Sequence, residues 1–530
     1  MATPVIPTPT RLNRQKIPIG IQTLSILRQE GYYYVDKSGY VVDLVERGKY
    51  YFLSRPRRFG KSLFIDTLKE LFEGNQKLFQ GLEAEKRWDW SKKYPVIHIS
   101  FSDGILKNKE ELGMRIKNVL RLNRLHLDIP LPADWSEEDI AGNFSMLIEQ
   151  AFHKTGQRTV VLIDEYDKPI LDNITDHAIA TDMREGLKNL YSVLKGSDAY
   201  LQFVFLTGVS KFSKVSLFSG LNNLQDITLD ERYSAICGYT DNDIDTVFLP
   251  ELFDLSRAEI KRWYNGYNWL GEGVYNPFDV LFLFDKRDFG NYWFDTCTPT
   301  FLIEIIKQYK PFTPELDQLV TTESLISTFD VRNIPLEALL FQAGYLTIDR
   351  VEPIMDMTEV VLRYPNKEVR TSMNALLLQT ITNTGAQYVH NVKKLYHAMR
   401  GNDFAALKDC FHQFFSSIPY NWYTNNPIAQ YEGYYASIFY SHFTALGMEV
   451  RVEDTTNHGR IDMTVLFNHN VYIFEFKVEE LTPSGKALQQ IKDKNYADKY
   501  KARNEPIYLI GVEFSKNDRN IIGFDVECNS

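Results

Sequence analysis

Cysteine is scarce in this sequence, and the cysteines present are too far apart to form a metal site or a disulfide framework. The 530 residues include four cysteines and no Cys-x-x-Cys pair. Structural zinc modules and small disulfide-rich secreted domains both depend on closely spaced cysteines. The spacing therefore fits a reducing compartment, and we expect a cytoplasmic protein. The four residues are Cys237, Cys297, Cys410 and Cys528.

The chain also lacks long hydrophobic runs and an excess of positive charge. No apolar stretch approaches the roughly 20 residues that span a bilayer. The first residues, with Pro4, Pro7 and Pro9, lack the apolar core of a signal peptide. We therefore expect no membrane partner. The formal net charge is −10, so nucleic acid would have to bind at a local basic patch.

A short basic loop lies between an apolar run and a helical pattern. Tyr50–Leu53 is followed by Ser54-Arg55-Pro56-Arg57-Arg58-Phe59-Gly60-Lys61-Ser62, and then by a helix-like run to Glu73. Strand, Gly-Lys-Ser loop and helix together favour a phosphate-binding loop, because a helix N-terminus attracts anions. The full motif has glycine where this chain has Arg55, so an ordinary basic turn is the alternative.

The loop residues have individual predicted roles in binding ATP and Mg²⁺. Lys61 is predicted to reach the β- and γ-phosphates, and the Ser62 hydroxyl to bind Mg²⁺. Arg58, Phe59 and Gly60 complete the predicted nucleotide-binding segment. The arginines beside Lys61 are predicted to hold phosphates or to face another subunit, so a homo-oligomer formed through this domain is an open expectation.

Two later apolar strands end in polar residues that suit such a loop. Thr159–Ile163 runs into Asp164 and Glu165, and Gln202–Leu206 runs into Thr207. Parallel strands bind ligands at their carboxyl ends. Asp164 is predicted to lie near Mg²⁺, Glu165 to polarise the water that attacks ATP, and Thr207 to sense the γ-phosphate. The alternatives are solvated acids and a simple strand cap.

Four sequence blocks resemble the AAA-ATPase-like family of bacterial and mobile-element proteins. They are RPRRFGKS, DEYDKPI, FLTGVSKFSK and WYNGY, within residues 17–300. The resemblance implies a mostly parallel α/β ATPase domain and, commonly, a C-terminal nuclease-like domain. Pro95–Phe101 and Ile227–Leu229 are predicted as further strands. The family typically has arginine in place of the first glycine of the loop.

The C-terminal region places carboxylates on a helix and on two adjacent strands. Gln430–Leu446 is helix-like, and Glu432 lies on its apolar stripe. Asp462 begins one predicted strand, while Glu475 and Lys477 share a face of the next strand. Carboxylates suit Mg²⁺ or Mn²⁺. A bound metal activates water for phosphodiester cleavage, and a lysine stabilises the charge that develops. A solvated alternating strand is the alternative.

This stretch resembles the PD-(D/E)xK nuclease superfamily, with Asp462 as the first acid and Glu475-Phe476-Lys477 as the (D/E)xK element. The resemblance implies that Gln490, on the following helix, faces the site. The nearby basic residues are predicted to track phosphates, unless they form a solvated helix surface. These basic residues are Lys486, Lys492, Lys494, Lys499, Lys501 and Arg503.

The sequence as a whole predicts an α/β multidomain protein. Its segments are a lead (1–16), a P-loop ATPase domain (17–235), a helical lid with a winged-helix-like region (236–420) and a restriction-endonuclease-like domain (421–530). The predicted function is ATP binding that controls metal-dependent cleavage of nucleic acid. DNA is the expected substrate because the resemblance to the nuclease superfamily implies it. Two alternatives stay open: a nucleotide switch that does not cleave, and a DNA-remodelling ATPase.

Overall fold

The computed structural model describes most of the chain. The described residues are 14–132, 139–211, 221, 223–297, 302–303, 313–327, 335–355, 357–382, 385–418, 432–479 and 484–529. They form two compact units, Met1–Cys297 with Val320–Asn366, and Thr298–Leu319 with Lys367–Ser530. The units divide the predicted 236–420 region, since helices from Lys367 onward belong with the C-terminal strands. Pro419 and Pro427, predicted to mark a boundary, lie outside the described residues.

The first unit is built on a five-stranded sheet with the order β2-β3-β4-β1-β5. Its pairings are all parallel. Continuous apolar runs explain this architecture, because strands covered on both faces bury every side chain. The strands are β1 (Tyr50–Ser54), β2 (Val96–Ser100), β3 (Thr159–Asp164), β4 (Leu201–Gly208) and β5 (Gln225–Asp226).

The predicted strand Ile227–Leu229 is wrong by two residues. The chain pairs with β1 at Gln225–Asp226 and then turns, with only the Ile227 amide still donating to Phe52. The turn begins early because the Asp226 carboxylate accepts the Thr228 amide at 2.9 Å, which competes with ladder pairing.

Helices surround this sheet and extend into the predicted middle region. Their apolar sides are buried while their polar sides are exposed. They span Leu24–Gln29, Ser38–Arg47, Lys61–Phe72, Ala84–Arg87, Lys109–His126, Ile140–Thr155, Lys168–Leu171, His177–Gly196, Asp241–Thr246, Arg257–Tyr264, Pro277–Lys286, Tyr292–Cys297, Glu323–Ser327 and Leu336–Ala343.

A small antiparallel hairpin follows these helices. It joins β7 (Thr347–Ile354) to β8 (Met357–Arg363), and β6 (Leu319–Thr322) lies beside β8. Pairing extends to Ile354 and Met357.

The second unit contains a mixed five-stranded sheet with the order β13-β12-β11-β10-β9. Only the β11–β12 pairing is parallel. Its strands are β9 (Glu449–Thr456), β10 (Gly459–Phe467), β11 (Asn470–Val478), β12 (Ile507–Ser515) and β13 (Asn520–Asn529). Its helices are Lys367–Thr382, Gly385–Gly401, Phe404–Ser417, Glu432–Ala445 and Lys486–Asp493.

Alternation along β11 divides its side chains between two apolar cores. Tyr472, Phe474 and Phe476 pack in one core with the Phe404–Ser417 and Glu432–Ala445 helices. Val471 and Ile473 pack in the other, with Ile491 and Tyr496. Glu475 and Lys477 follow the second set in parity, so they face the side of the sheet that carries the Lys486–Asp493 helix. The predicted α/β multidomain class is confirmed.

Candidate functional sites

The basic loop of the first unit forms a compact turn that ends in a helix. Gly60 has φ 93° and precedes the helix Lys61–Phe72. This left-handed conformation suits a residue without Cβ. Arg58, with φ 66°, also adopts it. The Lys61 ammonium donates to the Pro56 carbonyl at 2.8 Å, and the residue is only 6% exposed. The loop therefore wraps around its own lysine.

Arg55 does not hold ligand, which corrects the idea that all the loop arginines face phosphates or a partner. It is fully buried, and its guanidinium donates to the carbonyls of Ser54, Thr228 and Tyr233 at 2.9–3.0 Å. It also lies 4.1 Å from the centre of the Trp269 ring. Burial lowers the pKa of Arg55 to about 10. The arginine in place of glycine is thus a structural anchor beneath the loop.

The predicted acids lie at the same edge of the sheet as the loop. They lie at the carboxyl end of β3, which is parallel to β1 and separated from it only by β4. Asp164, 3% exposed, accepts the Glu165 amide at 3.0 Å. Glu165 has φ 52°. Burial raises its pKa, whereas the charge of Lys61 opposes that rise. Thr207 is fully buried opposite Leu53, and no described residue bonds its hydroxyl.

A cavity of about 490 Å³ opens above the loop. Lys61, Ser62 and Glu165 line it, together with Arg57, Arg58, Phe59 and Gly60. Phe59 contributes mainly backbone, since its ring is buried 4.7 Å from that of Tyr267. Asp164 and Thr207 lie at the same sheet edge but do not line the cavity. The volume lies within the range typical of small-molecule sites.

Most of the remaining cavity wall escaped sequence reasoning, because it comes from distant segments. Its residues are mostly apolar, aromatic or small: Pro18, Gly20, Ile21, Gln22, Leu27, Tyr33, Tyr34, Val35, Leu63, Phe64, Thr67, Ile236, Cys237, Gly238, Tyr239, Pro277, Phe278, Leu281 and Thr296. Arg58 stacks 3.9 Å from the Phe278 ring centre. The aromatic cluster at Tyr32–Tyr34 was the only local signal. A largely apolar and aromatic wall beside a basic loop suits a nucleotide base.

Lys37 also lines the cavity, although it is paired with Asp243 at 2.9 Å. Asp36 instead accepts the Ser38 and Glu83 amides, as a helix cap does. Arg262, on the helix Arg257–Tyr264, pairs with Glu259 and does not line the cavity.

Asp167 joins two loops of the site, a role that sequence reasoning missed. Its carboxylate, 1% exposed, accepts the Val209 amide at 3.1 Å and the Ser210 amide at 2.6 Å. The Ser210 hydroxyl donates to the same oxygen. The segment after Glu165 is thereby tied to the segment after Thr207. Part of the quoted block FLTGVSKFSK, from residue 212, lies outside the described residues.

The second unit brings the predicted nuclease residues together. Asp462 on β10 accepts the Phe476 amide of β11 at 2.8 Å. Lys477 lies 3.6 Å from a Glu475 oxygen and 3.6 Å from a Glu432 oxygen. Glu432 begins the helix Glu432–Ala445. Gln490 donates its side-chain amide to Glu475 Oε1.

Burial makes it costly to ionise the carboxyl groups of this cluster. It raises the pKa of Glu475 to about 8, with the Asp462 charge adding to the effect. Burial likewise raises the pKa of Asp462 to about 6. Burial opposes ionisation of Lys477, but Glu432, Glu475 and Asp462 outweigh it and raise its pKa. Two carboxylates therefore lie close together in a site where negative charge is costly without a cation.

The donor set fits a hard divalent cation. Glu475 is 1% exposed, and its Oε2 has no hydrogen-bond partner in the described structure. Among those same residues, no group of three or more His, Cys, Asp or Glu side chains is arranged as a metal cage. Two carboxylates suit Mg²⁺, which keeps several water ligands and needs few from protein. Asp462 and Glu475 are thus the residues that would hold the metal.

The Lys486–Asp493 helix is seated closely on β12. A Cβ on Gly511 would lie 2.3 Å from the Leu488 backbone nitrogen. Gly511 is also the in-register neighbour of Glu475. Two positions later, buried Glu513 accepts the Ser484 amide at 2.5 Å and the Ala487 amide at 3.4 Å. This packing of the helix on β12 holds Gln490 within hydrogen-bond distance of Glu475.

The predicted basic surface around this helix is largely neutralised, which corrects that expectation. Five of its six cations are paired with carboxylates: Lys486 with Glu479, Lys492 with Glu527, Lys499 with Asp454, Lys501 with Asp498, and Arg503 with Glu505. Local ion pairs leave little uncompensated charge for tracking phosphates.

Comparison with known proteins finds one domain match around each of the two clusters. Residues 18–218 match the AAA-ATPase-like family, described as "Predicted AAA-ATPase". Residues 430–524 match the PD-(D/E)XK nuclease superfamily. The chain is also 57% identical over 517 residues to an "Uncharacterized protein in vnfD 5'region" of Azotobacter chroococcum mcd 1, covering 97% of this chain and 99% of that protein. Within the described residues, no helix is long and apolar enough to cross a membrane. The chain belongs to the same family as this Azotobacter chroococcum protein, and it carries an AAA-ATPase-like domain followed by a C-terminal domain of the PD-(D/E)XK nuclease superfamily.

Proposed function

We propose that this protein is an ATP-controlled, Mg²⁺-dependent nuclease that cleaves DNA. The observation that carries the proposal is the buried cluster of Asp462, Glu475 and Lys477, completed by Gln490. A metal bound there would supply an activated water and would neutralise charge on the scissile phosphate.

The side chains around that metal divide the remaining work. Lys477 stays protonated and offers its ammonium to the charge that develops on the phosphate. Gln490 fixes the orientation of the Glu475 carboxylate. Glu432 holds Lys477 from the opposite side and limits its swing toward Glu475.

ATP hydrolysis is proposed for the first unit. Lys61 and Ser62 would contact the phosphates and their Mg²⁺, with Asp164 near the metal. Glu165 lines the same cavity as Lys61, so its carboxylate can orient water beside the γ-phosphate. Thr207 ends the adjacent strand with an unpartnered hydroxyl, which supports its role as a sensor. The apolar wall at Tyr33, Tyr239 and Phe278 would take the base.

The central experiment measures cleavage of linear and circular DNA by the full chain, with Mg²⁺ or Mn²⁺ and with or without ATP. We expect metal-dependent cleavage by the wild type. Glu475→Gln and Lys477→Ala should each lose at least about 100-fold, since single transition-state contacts are worth that much. Glu505→Gln, at an exposed ion pair far along the chain, is the matched control. Failure to cleave DNA under any of these conditions would leave the nucleotide-switch alternative.

A second experiment tests nucleotide control. Lys61→Ala should abolish ATP binding, while Glu165→Gln should bind ATP and fail to hydrolyse it. Cleavage rates of these variants should then differ from each other if nucleotide state gates the nuclease. Identical cleavage in both variants contradicts control. ATP hydrolysis stimulated by DNA would favour the remodelling alternative.

A further inference from the structure

One helix of the second unit has a concentrated basic face that no predicted role uses. On Gly385–Gly401, five exposed residues recur every three or four positions: His390, Lys393, Lys394, His397 and Arg400. At 100° per residue they occupy about one third of the helix circumference. We call these five residues the basic face.

Among the described residues, no acid forms an ion pair with the lysines or the arginine of the basic face, Lys393, Lys394 and Arg400. This contrasts with the Lys486–Arg503 set, in which most cations are paired. In a chain of net charge −10, a helix face whose lysines and arginine form no ion pair with a described acid favours an anionic partner.

The opposite side of this helix is fixed to the nuclease sheet. Leu395 and Met399 are buried in the same core as Tyr472 of β11. The Tyr472 hydroxyl donates to the Met399 carbonyl at 3.2 Å and to Asn402 at 2.6 Å. Glu475 lies three residues further along β11, roughly 10 Å at the usual rise of a strand, and its side chain points to the opposite face of the sheet. The basic face is therefore rigidly tied to the strand that carries the catalytic carboxylate.

We propose that the basic face is a docking surface for the phosphate backbone of the nucleic acid that the C-terminal domain cleaves. The inference rests on the proposed nuclease function. From His390 to Arg400 the helix rises about 15 Å, a length of duplex axis over which each DNA strand carries several phosphates. An acidic protein would match the charge equally well, but the phosphodiester-cleaving cluster on the same sheet favours nucleic acid.

The test measures binding of the full chain to a fluorescent 20-base-pair DNA in EDTA, so that cleavage cannot interfere. The variant Lys393→Gln/Lys394→Gln/Arg400→Gln removes the three permanent charges while keeping good helix formers. The matched control, Lys486→Gln/Lys501→Gln/Arg503→Gln, removes the same net charge from the neutralised set. Circular dichroism and thermal unfolding confirm that both variants are folded.

We expect the first variant to bind DNA at least about tenfold more weakly, with the slope of log affinity against log salt reduced by about 2.7, or 0.9 per lost contact. The control should change affinity less than about twofold. Equal losses in both variants, or no loss in the first, overturn the docking surface. The docking surface is also overturned if polyglutamate displaces the labelled DNA as effectively as unlabelled DNA does.

Binding and cleavage separate this inference from the function beneath it. If the wild type cleaves DNA and the first variant binds DNA with normal affinity, the docking surface is overturned and the proposed nuclease activity stands. Wild type that binds DNA through the basic face without cleaving it supports the docking surface and removes the proposed nuclease activity.

Discussion

Gln490 donates its side-chain amide to the buried carboxylate of Glu475, although the two residues are 15 positions apart on a helix and a strand. The contact depends on a third position, because Gly511 on β12 leaves room for the helix backbone at Leu488. A small residue beside the strand that carries Glu475 thus sets how closely the helix approaches.

Replacing Gly511 should therefore damage the nuclease site without touching its catalytic side chains. Gly511→Ala places a methyl group 2.3 Å from the Leu488 nitrogen. The helix must move, so we expect cleavage to fall at least about tenfold, as misplacement of catalytic groups does. The measurement is the cleavage rate with Mg²⁺, alongside thermal unfolding. Gly196→Ala is the matched control, since a Cβ there meets no atom within 4 Å. Equal activity of both variants contradicts this prediction.

The stability of the metal-free protein should depend on pH through Glu475 and Asp462. Burial raises the pKa of Glu475 to about 8, well above its value in an unfolded chain, and raises that of Asp462 to about 6. Between about pH 4 and pH 8 the folded state then binds more protons than the unfolded state. The free energy of unfolding should consequently fall as pH rises through this window.

A divalent cation should remove that loss, because it replaces the protons between the carboxylates. Thermal unfolding in EDTA and in MgCl₂, without nucleotide, should show a larger Mg²⁺-dependent rise in Tm at pH 8 than at pH 5. In Glu475→Gln the difference between the two pH values should shrink. A Mg²⁺ effect that is the same at both pH values, or unchanged in the variant, contradicts the assignment of this site.

Restoring glycine at position 55 should harm the protein, even though it restores the usual loop pattern. The Arg55 guanidinium satisfies three buried carbonyls. Arg55→Gly leaves those acceptors unpaired and opens a cavity beside Trp269, so unfolding should become easier by about 3 kcal/mol or more. Chemical denaturation measures this change. Lys77→Gly, at an exposed side chain, controls for the added glycine. A stable Arg55→Gly variant with tighter ATP binding would contradict the anchoring role.

Asp167 should influence ATP turnover more than ATP binding. Asp167→Asn replaces one accepting oxygen with a donor facing the Val209 and Ser210 amides. The link between the Glu165 and Thr207 segments should loosen, so kcat should fall about tenfold or more while ATP affinity changes little. Ser210→Ala removes only the hydroxyl contact and should have a smaller effect. A matched fall in affinity and kcat would indicate general disruption of the loop instead.

Local sequence determined much of the fold. Apolar runs such as Thr159–Asp164 have to be buried on both faces, which predicts parallel strands, and alternation in β11 fixes that Glu475 and Lys477 share a face. The position of Gly60, Lys61 and Ser62 between a strand and a helix likewise predicts the phosphate-binding loop. These features depend only on residues close together in the chain.

Tertiary structure alone decided which charges are neutralised and which segments meet. The Lys486–Arg503 set looked basic in sequence, yet it is paired with acids up to 45 residues away. Arg55 looked like a phosphate ligand, yet it binds carbonyls from Thr228 and Tyr233. The cavity wall likewise joins residues near positions 20, 34, 238 and 278. Sequence gives the type of each side chain, but ion pairs, burial and cavities depend on distances that only the folded chain sets.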